Sequence, residues 1–278
     1  MATITAAEVN KLRKQTGLGM MDCKKALVEA EGDFDQAIDI LRKKGQKVAE
    51  KRGDRSTSEG HSMAKVNAEG NKGVIIALSC ETDFVAINDA FIAFATEIVD
   101  TALNNNIADA TSLLAANLAD GRSIQENIID QIGKIGEKIE VSDFALVSAD
   151  TVIAYNHPGN NIASMVGLNK AGEMISAAGK DVAMQIAAMA PVALDESSVS
   201  EEIKAKELEI GRDQAIQEGK PEQIVDKIAM GRLKKFLKEN TLVEQAYIKD
   251  NKMSVGQYLK TVDKNLEVME FKRVTTTN

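Results

Sequence analysis

A chain of 278 residues, 44% hydrophobic and 27% charged, is long enough for two domains and too apolar to be disordered. Its net charge of −8 and pI near 5.1 argue against nucleic acid as the main ligand, because neutralising phosphates needs a surplus of Lys and Arg. No run approaches the ~20 apolar residues that span a bilayer, and "MATITAAEVNKLRK" lacks the apolar core of a signal peptide, so a cytoplasmic protein without membrane contact is expected.

The charge is uneven: residues 1–56 carry +3 and the remainder −11, which marks off a mildly basic N-terminal module. Residues 1–45 read as three short helices. Thr5 with Glu8 makes a capping box, Ile4 and Val9 sit where a hydrophobic staple closes, and Asp33 with Gln36 repeats the logic for the third helix. Gly17, Gly32 and Gly45 are expected to end the three helices in turn. The polar, Gly- and Ser-containing stretch 46–62 is expected to be a partly helical linker.

A pattern then occurs twice. In residues 63–148, "AKVNAEGNKGVIIALSC" reads as a hairpin turning near Gly70, followed by a helix through "FVAINDAFIAFATEIVDTAL". In residues 149–194, "VIAYNHPGNNIASMVGL" repeats the hairpin with its turn at His157–Asn160, and the helix "KDVAMQIAAM" follows. Two related β-β-α units predict an α+β core of two subdomains with antiparallel sheets. Residues 195–240 change character. Two charged helices joined at "GKP" form a helical hairpin, with Val199, Ile203 and Ile210 expected to face Ile224, Ile228 and Leu233 in a narrow coiled-coil seam. Residues 241–278 return to the second subdomain and finish in a strand, "LEVMEFKRV".

No catalytic site can be assembled from the residue pattern. His61 and His157 have no partner at metal-ligand spacing, and Cys23 and Cys80 read as reduced, buried thiols. The phosphate-loop-like "GEMISAAGKD" has one residue too many between its glycines and Asp181 where Ser or Thr is needed. No enzyme activity, cofactor or metal is therefore expected. Exposed apolar residues become the informative features, with Met20, Met21 and Phe84 foremost. Phe84 has two readings. Helical spacing places Phe84, Ile87, Phe91, Phe94 and Ile98 on one inward stripe. Its place at a helix N-terminus beside Asp83 instead offers the ring to a partner.

Taken together, "TGLGMMDCKKAL", "CETDFVA" and "GKP…GRLKKF" resemble the elongation factor Ts family, from residue 3 to about 272. The bundle also resembles ubiquitin-associated (UBA) domains. The resemblance implies a guanine-nucleotide exchange factor for the GTPase elongation factor Tu. Asp83 and Phe84, flanked by Thr82 and Val85, then enter the partner's GTPase domain and disturb the elements that hold magnesium and the β-phosphate. Leu12, Met20 and Met21 match family positions that touch the same domain, Ile135 and Gly136 match a further core contact, and His157 matches a contact to another domain. The hairpin is implied in dimer contacts, while the C-terminal helical module of some members is nearly absent after "EFKRV". Without the resemblance, an adaptor recognising a ubiquitin-like or ribosomal surface fits the same residues.

Overall fold

Thr5 starts the first helix by a reciprocal cap. Its hydroxyl accepts the Glu8 amide at 3.3 Å, and the Glu8 carboxylate accepts the Thr5 amide at 2.7 Å, opening α1 (Ala6–Thr16). The computed structural model describes residues 4–277, so residues 1–3 and 278 of the first and last expected units lie outside it. It continues with α2 (Met20–Glu29) and α3 (Phe34–Arg52). Left-handed Gly17 and Gly32 carry the chain past the first two helix ends, and the Asp33 carboxylate accepts the Gln36 amide at 2.9 Å. Val9, Leu12, Cys23, Ala26, Leu27, Ala37 and Leu41 pack into one small core.

Gly45 does not end the third helix. The helix runs on to Arg52 because Gly45 is buried against Ile129 and Gly133 of a later helix, where the missing β-carbon permits close approach. The first strand, β1 (Glu59–Val66), also starts earlier than its hydropathy predicts. Only residues 53–58 of the expected linker lie outside regular elements.

β1 pairs antiparallel with β2 (Lys72–Cys80) through a turn with Gly70 at φ +70°. A one-turn helix, α4 (Asp83–Ala86), is followed by α5 (Asp89–Asn104), α6 (Ala110–Ala115) and α7 (Ile124–Ile135). β3 (Ile139–Ser148), a strand not anticipated from hydropathy, completes a sheet of order β1-β2-β3. The second half brings β4 (Thr151–Asn156), β5 (Ile162–Leu168) and α8 (Glu173–Met189). Then come α9 (Glu201–Gln217), α10 (Glu222–Asn240), a small ribbon of β6 (Ala246–Tyr247) and β7 (Asp250–Ser254), α11 (Val255–Val262) and β8 (Val268–Thr275). β8 returns to pair with β5, giving a second sheet of order β4-β5-β8. The architecture is α+β.

Strand alternation explains why "GVIIAL" has no polar position. On β2, Val74, Ile76 and Leu78 pack on α5 and α7, while Ile75 and Ala77 pack with Ala163 and Met165 of the second sheet. Both faces are buried, so both need apolar side chains. Val166 and Leu168 point the other way, onto Val182 and Ile186 of α8 and Leu259 of α11. The sheets meet closely: a β-carbon on Gly73 would lie 2.6 Å from Met165 Sδ.

The hairpin seam differs from the expected one. Gly211 and Ala215 of α9 pack against Val225 and Ala229 of α10, and Ile203, Ile210 and Ile224 are exposed. A β-carbon on Gly211 would sit 3.2 Å from Ala229 Cα, so small residues bring the backbones together and turn the isoleucines outward. Val199 and Leu233 are buried as expected, at the base of the hairpin. Among the described residues no helix is long and apolar enough to cross a membrane.

Candidate partner-binding site

The inward stripe through Phe84 does not form, because the helix it needs is two helices. The amides of Ala86 and Ile87 donate to the carbonyls of Thr82 and Asp83, completing a single turn, and the helix then stops. Asn88 takes an extended conformation and its side-chain oxygen accepts the Ala90 amide at 2.9 Å, so α5 begins with a fresh cap. The break resets the helical phase. Phe91, Phe94 and Ile98 enter the core, whereas Phe84 and Ile87 are 79% and 72% exposed. Two large apolar side chains thus project from one turn, left exposed among the described residues. Asp83 is also exposed, and its carboxylate accepts the Phe84 amide at 2.9 Å. Thr82 and Val85 are half-buried.

The turn is held from behind. Thr82 is its N-cap, but the Thr82 hydroxyl donates to the Glu137 carboxylate at 2.8 Å, and the Thr82 amide donates to the same group at 3.1 Å. One residue earlier, Glu81 accepts two hydrogen bonds from the Arg52 guanidinium, at 2.9 and 2.8 Å, and one from the Lys138 amide at 2.6 Å. Burial by itself would raise the Glu81 pKa, but the Lys138 amide and Arg52 outweigh it and hold the carboxyl below the usual range. The Cys80 thiol, buried and facing the charge of Glu137, is pushed up to about 12. It donates to the Thr82 carbonyl at 3.2 Å and stays protonated at neutral pH, which removes it as a nucleophile.

Met20 and Met21 open α2 and are 53% and 63% exposed. Leu12, in contrast, is fully buried in the bundle core, packed in one cluster with Cys23 and Leu27. Ile135 closes α7 with its side chain exposed, and Gly136 follows at φ +82°, a left-handed cap. These features form one run. The Gly17 turn ahead of Met20 lies against Lys134, whose Cε would be 3.4 Å from a β-carbon there. Lys134 precedes Ile135 and Gly136, and the next residue, Glu137, binds Thr82. His157 stands apart. It is exposed at the β4–β5 turn, its Nδ1 is 3.1 Å from the Tyr155 hydroxyl, and that turn docks on β1 through the Ser62 amide and the Asn160 carbonyl at 2.6 Å.

Ile87 was missed as a candidate because helical spacing absorbed it into the core stripe. The available signal was "IND": an asparagine that caps a new helix interrupts the spacing. Among the described residues no group of three or more His, Cys, Asp or Glu is placed to hold a metal ion. The arrangement presents apolar side chains on rigid backbone beside a carboxylate, which is the chemistry of a protein–protein contact.

The family model for elongation factor TS matches residues 81–278, from the loop that carries Phe84 onward. Along nearly the whole length the chain is similar to the elongation factor Ts of Christiangramia forsetii, 57% identical over 274 residues and covering 99% of both chains. It is 52% identical over 272 residues to that of Amoebophilus asiaticus, covering 98% of each. With that of Flavobacterium psychrophilum the identity is 51% over 273 residues, again covering 98% of each. This chain belongs to the elongation factor Ts family.

Proposed function

We propose that the chain is a translation elongation factor that binds elongation factor Tu carrying GDP and promotes GDP release for exchange with GTP. It inserts Phe84, with Asp83 beside it, into the partner's GTPase domain and disturbs the groups that hold magnesium and the β-phosphate. The observation that carries this reading is the 79% exposure of Phe84 on a turn pinned by Glu81 and Glu137. No covalent bond is made or broken, and the activity needs no cofactor or metal held by the chain itself. The factor binds the nucleotide-free partner better than the nucleotide-bound one, and by linkage nucleotide binds the complex more weakly by the same factor.

Burying one phenylalanine is worth about 1.5–3 kcal/mol, and each tenfold change in affinity takes about 1.4 kcal/mol. Phe84 alone therefore accounts for roughly ten- to a hundredfold. The rest comes from a wider grip: Met20 and Met21, Ile87, Ile135 with Gly136, and His157 against another domain of the partner. Nucleic acid and membrane play no direct part, the work is done in the cytoplasm, and the outer face of the α9–α10 hairpin serves self-association.

The test is release of fluorescent GDP from elongation factor Tu. Phe84→Ala should slow the stimulated release at least tenfold while leaving the melting temperature nearly unchanged. An adaptor protein would leave the release rate of the GTPase alone even as wild type. A large fall in melting temperature would return Phe84 to a packing role.

A further inference from the structure

We propose that the crossing of α3 and α7 at Gly45 and Gly133 is a positioning device, which fixes the Met20–Met21 pair relative to Phe84 so that both engage the partner as one rigid surface. The inference rests on the exchange-factor reading above. It adds Gly45, Gly133 and the Arg52–Glu81 pair as positioning residues remote from the partner.

Glycine inside a helix costs about 1 kcal/mol relative to alanine, and here two helices cross where each has one. A β-carbon on Gly133 would lie 3.1 Å from the Gly45 Cα. One on Gly45 would lie 3.4 Å from the Ile129 carbonyl oxygen and 3.7 Å from the Gly133 Cα. The contact is therefore backbone on backbone, with no side-chain layer between the helices, and it leaves little room for rocking. Past the crossing α3 continues to Arg52, which grips Glu81 with two hydrogen bonds at 2.9 and 2.8 Å. Ahead of it, the Gly17 turn rests on Lys134. The crossing and the Gly17 contact meet the C-terminal half of α7, which ends at Ile135, and the Arg52 contact meets Glu81, just ahead of the α4 turn that carries Phe84.

A bundle on a flexible tether would have to be ordered each time the partner bound, which would cost affinity. The continuous helix and its crossing remove that cost in advance. The polar stretch after residue 45 therefore works as a rigid strut through Arg52.

The test uses the full chain with spin labels introduced by Lys25→Cys on α2 and Thr111→Cys on α6, both exposed positions; the native Cys23 and Cys80 are buried. The parent chain should give one narrow distance distribution. Gly133→Leu, which favours helix but cannot fit the crossing, should shift or broaden it and slow partner GDP release about tenfold. Gly133→Ala, whose β-carbon would meet the Gly45 Cα at 3.1 Å, should shift the distribution in the same sense by a smaller amount. In the Gly133→Leu background, adding Met20→Ala and Met21→Ala should cost nothing further, although the same pair slows release in the parent. Should Gly133→Leu not fold, Arg52→Gln loosens the strut without crowding and should broaden the distribution in the same sense. An unchanged distance distribution in these variants overturns the inference. So does a shifted distribution with an undiminished effect of the methionine pair. Loss of the exchange reading would show separately, as a Phe84→Ala chain that exchanges like wild type.

Discussion

The Glu137 carboxylate accepts two hydrogen bonds from Thr82, at 2.8 Å from the hydroxyl and 3.1 Å from the amide, and so ties the turn that carries Phe84 to the end of the helix that carries Ile135. Neither residue is exposed as Phe84 is; both are half-buried behind it. The ring is thus mounted on a braced support.

Removing that brace should loosen the turn before it unfolds the protein. Glu137→Ala loses two hydrogen bonds at a half-buried site, worth roughly 1–2 kcal/mol in total. Hydrogen exchange at the Ala86 and Ile87 amides should accelerate, while amides of β2 stay protected. GDP release from the partner should slow several-fold. Equal protection of the turn in both chains would show that α4 holds itself.

Ile87 should behave as a second contact beside Phe84. At 72% exposure its replacement costs the fold little. Ile87→Lys should leave the melting temperature within a degree or two and weaken binding to the nucleotide-free GTPase by roughly tenfold, the share of one buried aliphatic side chain. Titration calorimetry with the GTPase in excess EDTA reads this directly, and an unaltered Kd would take Ile87 out of the interface.

Leu12 gives the opposite signature. Fully buried in a small core, Leu12→Ala should destabilise the bundle by roughly 2–4 kcal/mol. Exchange activity per folded molecule should stay near that of wild type at a temperature where the bundle remains folded. Activity lost without loss of stability would instead make Leu12 a contact.

Acid stability should depend on Asp181. Burial would raise its pKa, but Lys249 at 2.6 Å, Tyr247 at 2.8 Å and Tyr258 at 2.9 Å all donate to it and hold it below the usual range. A carboxyl depressed in the folded state stabilises fully above its unfolded value, near 4, and that contribution is lost as pH falls through the lower folded value. The two tyrosines, stacked at 4.2 Å, are raised by burial and by the same carboxylate. Their contribution is complete below about 10 and is lost as pH rises through their folded values. Asp181→Asn should cost roughly 1–3 kcal/mol at neutral pH and flatten the fall in urea midpoint as pH drops below about 4. Parallel pH profiles for the two chains would remove Asp181 as the cause.

Much of this protein was legible locally. The caps at Thr5 and Asp33, the glycine ends at Gly17 and Gly32, and the turns near Gly70 and His157 depend on contacts within a few residues, so a short stretch of sequence contains the whole cause. The alternation that buries both faces of β2 and the motifs that mark the family are local in the same sense. The direction of Phe84 was not, because one capping asparagine resets the helical phase and makes two regular patterns fit the same letters. Gly45 reads as a helix end until Gly133, far along the chain, supplies the reason for a glycine inside a helix. The same holds for the hairpin, where Gly211 against Ala229 overrode the larger isoleucines in choosing the seam. Sequence by itself determined the capped helices of the N-terminal bundle, the two strand hairpins and the motifs that mark the family. Only the tertiary structure decided which apolar side chains are left outside, because exposure is set by how closely two distant backbones can approach.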